Sequence, residues 1–185
     1  GLDIGTTSLG LAGISPPEYT EGIDIFSKNS EKRDYVISVR DRCDYTIDRI
    51  RTVRTNDFRY IRNFFPDRPY MQPNYRDAWD LTQKMRELAE SGTLPDVQQR
   101  IWNTERPEEE LYFIDNDPYE INNLASDPLY AEKLSELRTI LEEWIVESDD
   151  KGQYPENIEG LRFMYEIWGS KCVNPEYDIL RQEQE

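Results

Sequence analysis

The sequence has no histidine among its 185 residues. No Ser-His-Asp or Cys-His nucleophile system can be built from it, and the side chain that most often moves protons near neutral pH is missing. Its two cysteines cannot make a four-cysteine zinc site, and zinc sites that rely on His are excluded. Neither G-x-G-x-x-G nor G-x-x-x-x-G-K-[ST] occurs, so the standard phosphate loops are absent. No apolar run approaches the roughly 20 residues of a membrane-spanning helix. No basic segment followed by an apolar run opens the sequence, as a secretory signal would. Any enzyme chemistry therefore depends mostly on residues outside this sequence.

What is present is acidic and aromatic. The sequence carries 38 Asp/Glu against 22 Lys/Arg, a formal net charge of −16, with 37% hydrophobic and 32% charged residues. Four Trp, twelve Tyr and six Phe supply enough large apolar area for a packed core, which a disordered acidic tail would lack. The length suits about one domain. Residues 1–100 hold 15 Lys/Arg and 16 Asp/Glu, whereas residues 101–185 hold 7 and 22. The second half would repel phosphates, so nucleic acid is not an expected partner, and neither is a membrane. The basic charge gathers between Arg40 and Arg62 as seven arginines without a lysine.

Periodicity and punctuation predict the elements. Residues 3–14 read as a short helix, capped by Asp3 or Thr6 and ended by Gly13 in a left-handed conformation. Two internal glycines weaken that helix, which points to packing on something larger. Ser15-Pro16-Pro17 breaks the chain, and residues 18–33 are a polar connection. Alternation around Tyr35, Ile37 and Val39 predicts a strand, with further strands at 50–54, 58–64 and 110–114. Asn56-Asp57 suits a tight hairpin turn in which both residues take positive φ. Helices are predicted over 76–91, 95–102 and, most strongly, 128–148. In the last, Asp127 caps, Pro128 opens, and Tyr130, Leu134, Leu137, Leu141 and Trp144 form one stripe. A further turn or two falls within 157–168. The expected fold class is α+β: an antiparallel sheet of about four strands, covered by the helices near 76–91 and 128–148. Arg51, Arg54, Arg59 and Arg62 are expected on a solvated sheet face or bridging to helix acids. Asp115-x-Asp117 reads as a turn and not as a calcium loop, because Tyr119 and Glu120 stand where such a loop needs Asp or Asn and Gly. Cys43 and Cys172 could pair.

Three stretches together resemble the type I sulfatases of the alkaline phosphatase superfamily. Asp3 to Ile14 is similar to the family helix D-I-x-P-T-L-L-x-L-A-G-I, with Thr6 and Ser8 departing from it. Arg40-Asp41-Arg42-Cys43-Asp44, Ile47 to Arg54, and Phe58-Arg59-Tyr60-Ile61-Arg62-Asn63-Phe64 resemble the stretch R-D-R-x-D, then R-x-V-R, then Y-K-Y-I-R-N. Glu110-Leu111-Tyr112 through Ala125 resembles E-L-Y-D-L-x-x-D-P-x-E-x-x-N-L-A, the most specific of the three. The nearest likeness is to the sulfamidase-like branch, and only to the C-terminal part of its members.

The resemblance implies a hydrolase of sulfate esters or sulfamates on sugars or glycosaminoglycans. Its formylglycine nucleophile and Ca2+ would belong to an N-terminal catalytic domain outside this sequence. It implies residues 1–16 as the end of that domain, 17–33 as a linker, 34–150 as the sulfatase C-terminal domain and 151–185 as a tail. The implied partners are a sulfated carbohydrate and the chain's own catalytic domain. The implied location is periplasmic or extracellular, and this chain alone would be inactive, with no catalytic residue and no metal ligand of its own. Arg40, Arg42, Asp44, Asp48 and Arg49 are the candidate substrate-binding residues, since guanidinium forks suit sulfate and carboxylate groups. The competing reading is that these Arg and Asp residues pair with one another. Two other functions remain open: a phosphodiesterase or phosphonate hydrolase of the same superfamily, or a stand-alone acidic carbohydrate-binding module.

Overall fold

The computed structural model describes residues 1–182 apart from 29 and 31; the expected linker and tail run over residues 29, 31 and 183–185, which lie outside the described residues. The chain divides into two units, residues 1–34 and 35–185.

The first unit holds helix α1, Leu2–Leu11. Neither Asp3 nor Thr6 caps it, because the N-cap is Gly1 without a side-chain bond. Asp3 instead lies in the first turn, accepts the Ile23 N–H at 2.9 Å and pairs with Arg33. Thr7 Oγ1 accepts the Ile25 N–H at 3.1 Å, so α1 fastens the following segment through side chains. The expected ending is present: Gly13 takes φ +71°, and the Ile14 N–H returns to Leu9 O at 2.9 Å. Leu2, Ile4 and Leu11 remain exposed.

The second unit is built on a four-stranded antiparallel sheet in the order β1 (Val36–Cys43), β2 (Thr46–Arg54), β3 (Phe58–Asn63), β4 (Glu109–Phe113). The fold is thus α+β, as expected. β2 begins at Thr46 and not near residue 50, so the Arg40–Asp48 stretch is a hairpin and not a loop. Its two-residue turn is Asp44-Tyr45, and Asp44 takes φ 52°. The other hairpin turns at Thr55–Asp57 without positive φ, because Thr55 spreads the turn: its N–H donates to Phe58 O at 2.9 Å and its hydroxyl accepts the Phe58 N–H at 3.0 Å.

A bulge interrupts the first hairpin. Arg40 pairs with Ile50 and Arg42 with Ile47, so Asp48 and Arg49 together oppose Asp41. One extra residue shifts every preceding side chain of the strand to the other face. Ile47 and Val53 accordingly sit in different cores.

The core around Val53 packs the sheet against a helix. After β3 come α2 (Asp80–Glu90) and α3 (Asp96–Gln99), and after β4 comes α4 (Ala131–Glu147). Asp127 accepts the Leu129 N–H at 2.9 Å, Pro128 follows it, and a 3-10 turn over Pro128–Tyr130 leads into α4. Leu134, Leu137 and Leu141 then meet Val53, Tyr60 and Leu111, as the stripe predicts. Arg138 clamps the layers through a bidentate pair with Glu109 of β4, at 2.9 and 2.7 Å. α2 departs from its expected role as a second cover: Leu81 and Trp79 are exposed, and Thr82 is its buried residue.

The second core lies at the hairpin end. Helices α5 (Ile158–Trp168) and α6 (Asp178–Gln182) gather Leu161, Cys172, Tyr177 and Leu180 around Tyr45 and Ile47. α5 is a full helix of 11 residues, longer than the turn or two expected. Cys43 and Cys172 are both free thiols.

Leu137, fully buried at the centre of the sheet–helix core, gives a direct test of this packing. Leu137→Ala is expected to cost about 2–5 kcal/mol of unfolding free energy. Urea denaturation followed by tryptophan fluorescence measures it; a loss below about 0.5 kcal/mol would contradict the packing.

Candidate functional site

The polar side chains concentrate where the first hairpin meets the segment after α4. Arg51 is fully buried, contrary to the solvated position expected of it. It shares strand parity with Val53 on the uninterrupted part of β2, which directs it inward under the end of α4. Its Nε and Nη2 donate to Asp150 at 3.0 and 2.9 Å, and its Nη1 lies 2.7 Å from Asp41. The other arginines of this group behave more as expected: Arg54 is exposed, Arg59 pairs with Glu120 at 2.8 Å, and Arg62 reaches Glu142 of α4 at 3.7 Å. Burial alone would push the Asp150 carboxyl up, but the Arg51 hydrogen bonds and charge prevail and hold it below its ordinary 3.8. Gly152 sits against this pair so closely that any Cβ would collide with the Arg51 guanidinium and with Asp41.

A second buried pair secures the bulge. Asp48 and Arg106 have no exposed side-chain surface and form a bidentate pair, with the Arg106 Nη1 bond at 2.9 Å. Gln72 Nε2 and the Arg49 N–H complete the Asp48 carboxylate at 3.0 and 2.8 Å. β2–β3 pairing ends at Ile50, so the outward backbone groups of Ile47 need other partners. Asn174 Oδ1 accepts its N–H at 2.9 Å, and Arg68 donates to its carbonyl at 2.8 Å.

Above these pairs lies a cleft of about 550 Å³, lined among others by Asp41, Arg42, Arg49, Lys151, Tyr154, Glu156 and Glu176. Arg42 crosses it to Glu156 at 2.9 Å. Arg49 stacks its guanidinium 3.8 Å from the centre of the Phe64 ring and stands 3.8 Å from Asp150. Burial pushes the Glu156 carboxyl up, against the pull of Arg42. Arg42 and Arg49 bring two guanidinium groups to the lining of the cleft, an arrangement suited to an anionic group on a ligand.

Of the five residues expected to touch substrate, Arg42, Asp48 and Arg49 thus line the cleft. The Asp48 side chain has no exposed surface, its carboxylate engaged by Arg106 and Gln72. Arg40 is exposed outside the cleft lining and contributes a backbone carbonyl to Arg51 at 3.3 Å. Asp44 is exposed at the hairpin tip, away from the lining. The opposite wall, Lys151 to Asn157, escaped the sequence reading because it adjoins the hairpin only through tertiary folding. Among the described residues no group of three or more His, Cys, Asp or Glu could hold a metal ion, and neither cysteine lies in a C-x-P-S-R motif. The residues present fit neither the Ca2+ nor the formylglycine of the resemblance.

Comparison with known proteins agrees with the motifs. No family model matches the chain. It is 34% identical over 176 residues to the ulvan-active sulfatase of Formosa agariphila, which covers 94% of this chain and 29% of that protein. Among solved structures, BT1596, a 2-O GAG sulfatase, superposes with a TM-score of 0.54 at 25% identity, over 82% of this chain and 25% of the other. BT4656, solved with its substrate D-glucosamine-2-N,6-O-disulfate, shares the fold at TM-score 0.50 and 20% identity, over 83% of this chain and 25% of its own. The chain is related to sulfatases over nearly its whole length, and it spans under a third of the curated relative's length.

Two predictions follow from the buried pairs. Arg51→Met takes both guanidinium hydrogen bonds from Asp150, leaves it only Arg49 at 3.8 Å, and should cost about 3–5 kcal/mol. Arg54→Met, on the exposed end of the same strand, should stay within about 0.5 kcal/mol. Equal effects in denaturant titrations would mean that Arg51 is solvated after all. Acid should reveal the same interactions. Arg138 hydrogen bonds hold Glu109 down, and Asp150 is lowered too, so both carboxyls have folded values below their unfolded ones. Their contribution is complete above the unfolded values near ~4 and is lost as pH falls through the folded ones. Urea midpoints should therefore drop between pH 5 and 3, and the drop should be smaller in Asp150→Asn; an identical acid profile in that variant would contradict the assignment.

Proposed function

We propose that the chain is the C-terminal portion of a sulfatase that hydrolyses sulfate esters or sulfamates on sugars, outside the cytoplasm. The observation that carries this reading is the 34% identity to the ulvan-active sulfatase, over 94% of the chain. On this reading, residues 1–16 close a catalytic domain, 17–33 link it, and 34–150 form the C-terminal domain, with 151–185 completing its second core. Formylglycine and Ca2+ would be held by residues of that catalytic domain and not by these.

In this reading the cleft forms the rim of the substrate site. Arg42 and Arg49 would hold a sulfate or carboxylate on a sugar neighbouring the one that reacts. Arg49 is braced by Phe64 and Asp150, so it loses little freedom on binding. Arg42 would exchange Glu156 for the ligand, and the raised tendency of Glu156 to take a proton eases that exchange. Arg40 and Asp44 would contribute through the field of the rim, and Asp48 through the position of Arg49.

Sulfate release from a sulfated oligosaccharide by the full-length protein tests the activity, with the 185-residue chain alone releasing none. Arg42→Ala in the full-length protein tests the rim. A lost charge-assisted contact of roughly 1.5–3 kcal/mol should lower kcat/KM on the oligosaccharide about 10- to 100-fold. A small aryl sulfate, too short to reach the rim, should be hydrolysed almost as before. Equal losses on both substrates, with a lowered Tm, would assign Arg42 a purely structural pair with Glu156.

A further inference from the structure

The connection after β3 carries a second concave feature, which shares no residue with the cleft. Asn74 Oδ1 accepts the Arg76 N–H at 3.0 Å and starts a short 3-10 turn over Tyr75–Ala78. This turn presents Tyr75 and, just beyond it, Trp79. Their rings meet edge to face with centroids 6.3 Å apart, yet Tyr75 is 38% and Trp79 55% exposed. The Arg76 guanidinium lies 5.1 and 5.6 Å from the two ring centres, and its Nε donates to the Tyr75 hydroxyl at 2.9 Å. Beside Tyr75 opens a cavity of about 200 Å³, whose far wall includes Lys171. Lys171 rests 5.2 Å from the Trp168 ring centre.

Neither Arg76 nor Lys171 makes an ion pair among the described residues, whereas Asp77, the acid in the cavity wall, is paired with Arg86 at 2.8 Å. Two cations without an ion pair among the described residues therefore stand beside these rings, whereas the exposed acids next along the chain, Asp44 before Tyr45 and Asp80 after Trp79, do not line the cavity. An apolar protein partner would bury those cations without counter-charges, which is costly. A nucleic acid would meet the acidic second half of the chain. A pyranose ring offers an apolar C–H face to stack on Trp79 or Tyr75, and an acidic substituent on it would meet the guanidinium fork or the ammonium.

We propose that Tyr75, Arg76, Trp79 and Lys171 form a binding site for an acidic saccharide, one bearing carboxylate or sulfate groups. The site uses nothing from the cleft or from a catalytic domain, so it stands or falls apart from the sulfatase reading. Hydrogen bonds that Arg76 donates to Asn74 Oδ1 and to the Tyr75 hydroxyl fix the turn and Arg76 before any ligand arrives, which lowers the ordering cost of binding.

Affinity electrophoresis and calorimetry of the 185-residue chain against three polymers test the proposal: polygalacturonate, which is carboxylate only, dextran sulfate, and uncharged dextran. The chain should bind at least one acidic polymer and not dextran, and the polymer preferred identifies the group that is read. Arg76→Gln and Trp79→Ala should each weaken binding roughly tenfold or more. Both side chains are exposed, so circular dichroism should be unchanged. Tyr75→Phe, which deletes only the hydroxyl holding Arg76, should weaken binding less but in the same direction. Lys84→Gln removes one positive charge from an exposed pair with Glu87 and should leave binding unchanged. No binding to either acidic polymer, equal binding to dextran, or a loss in Lys84→Gln matching that in Arg76→Gln would overturn the proposal.

Discussion

A guanidinium without access to solvent organises the second unit of this protein. Arg51 projects from β2 under the end of α4 and takes up Asp150 from the turn after that helix, and Asp41 from the neighbouring strand. A buried cation requires such partners, since without them it would be a charge that water cannot reach. The three elements are thus held at fixed separations by one side chain. Gly152 is part of the same constraint, because the chain can turn past the ion pair only where no Cβ projects into it. From that turn the chain runs on into α5 and α6, which complete the second core around Tyr45 and Ile47.

The bulge at Asp48-Arg49 is the complementary device. It reverses the alternation of β2, so one strand feeds two cores on opposite faces. The cost is a stretch of backbone whose outward polar groups have no strand beside them. Arg68 and Asn174 supply partners to the Ile47 backbone, and Gln72 and Arg106 take up the Asp48 carboxylate, all from distant parts of the sequence. On the proposed reading, the same arrangement fixes Arg42 and Arg49 at the rim of a substrate site, with an ion-pair framework beneath them.

Local signals carried much of the sheet and of α4 into the sequence. The stripe from Leu134 to Leu141, the Asp127-Pro128 start and the strand periodicity all rest on contacts within a few residues. The ion-pair framework was hidden for the opposite reason, since Arg51–Asp150 and Asp48–Arg106 join positions 99 and 58 residues apart. Arg51 alone left a trace, its parity with Val53, which marked it as inward-facing where charge had suggested solvent. The hairpin was misplaced by the bulge, because two consecutive polar residues, Asp48 and Arg49, imitate a loop. For the candidate site, one wall was legible as an arginine- and aspartate-rich segment with a sulfatase-like spacing. The other wall, from Lys151 to Asn157, has no local mark and exists only once the Asp150 turn is tied down.

The central claim is that Arg51 couples the hairpin end to the C-terminal helices, and hydrogen exchange in Arg51→Met measures that coupling most directly. The account predicts lost amide protection in residues 40–49 and 151–168 together, while β3, β4 and the first turns of α4 keep theirs. Protection unchanged in both segments, or lost uniformly across the unit, would contradict it.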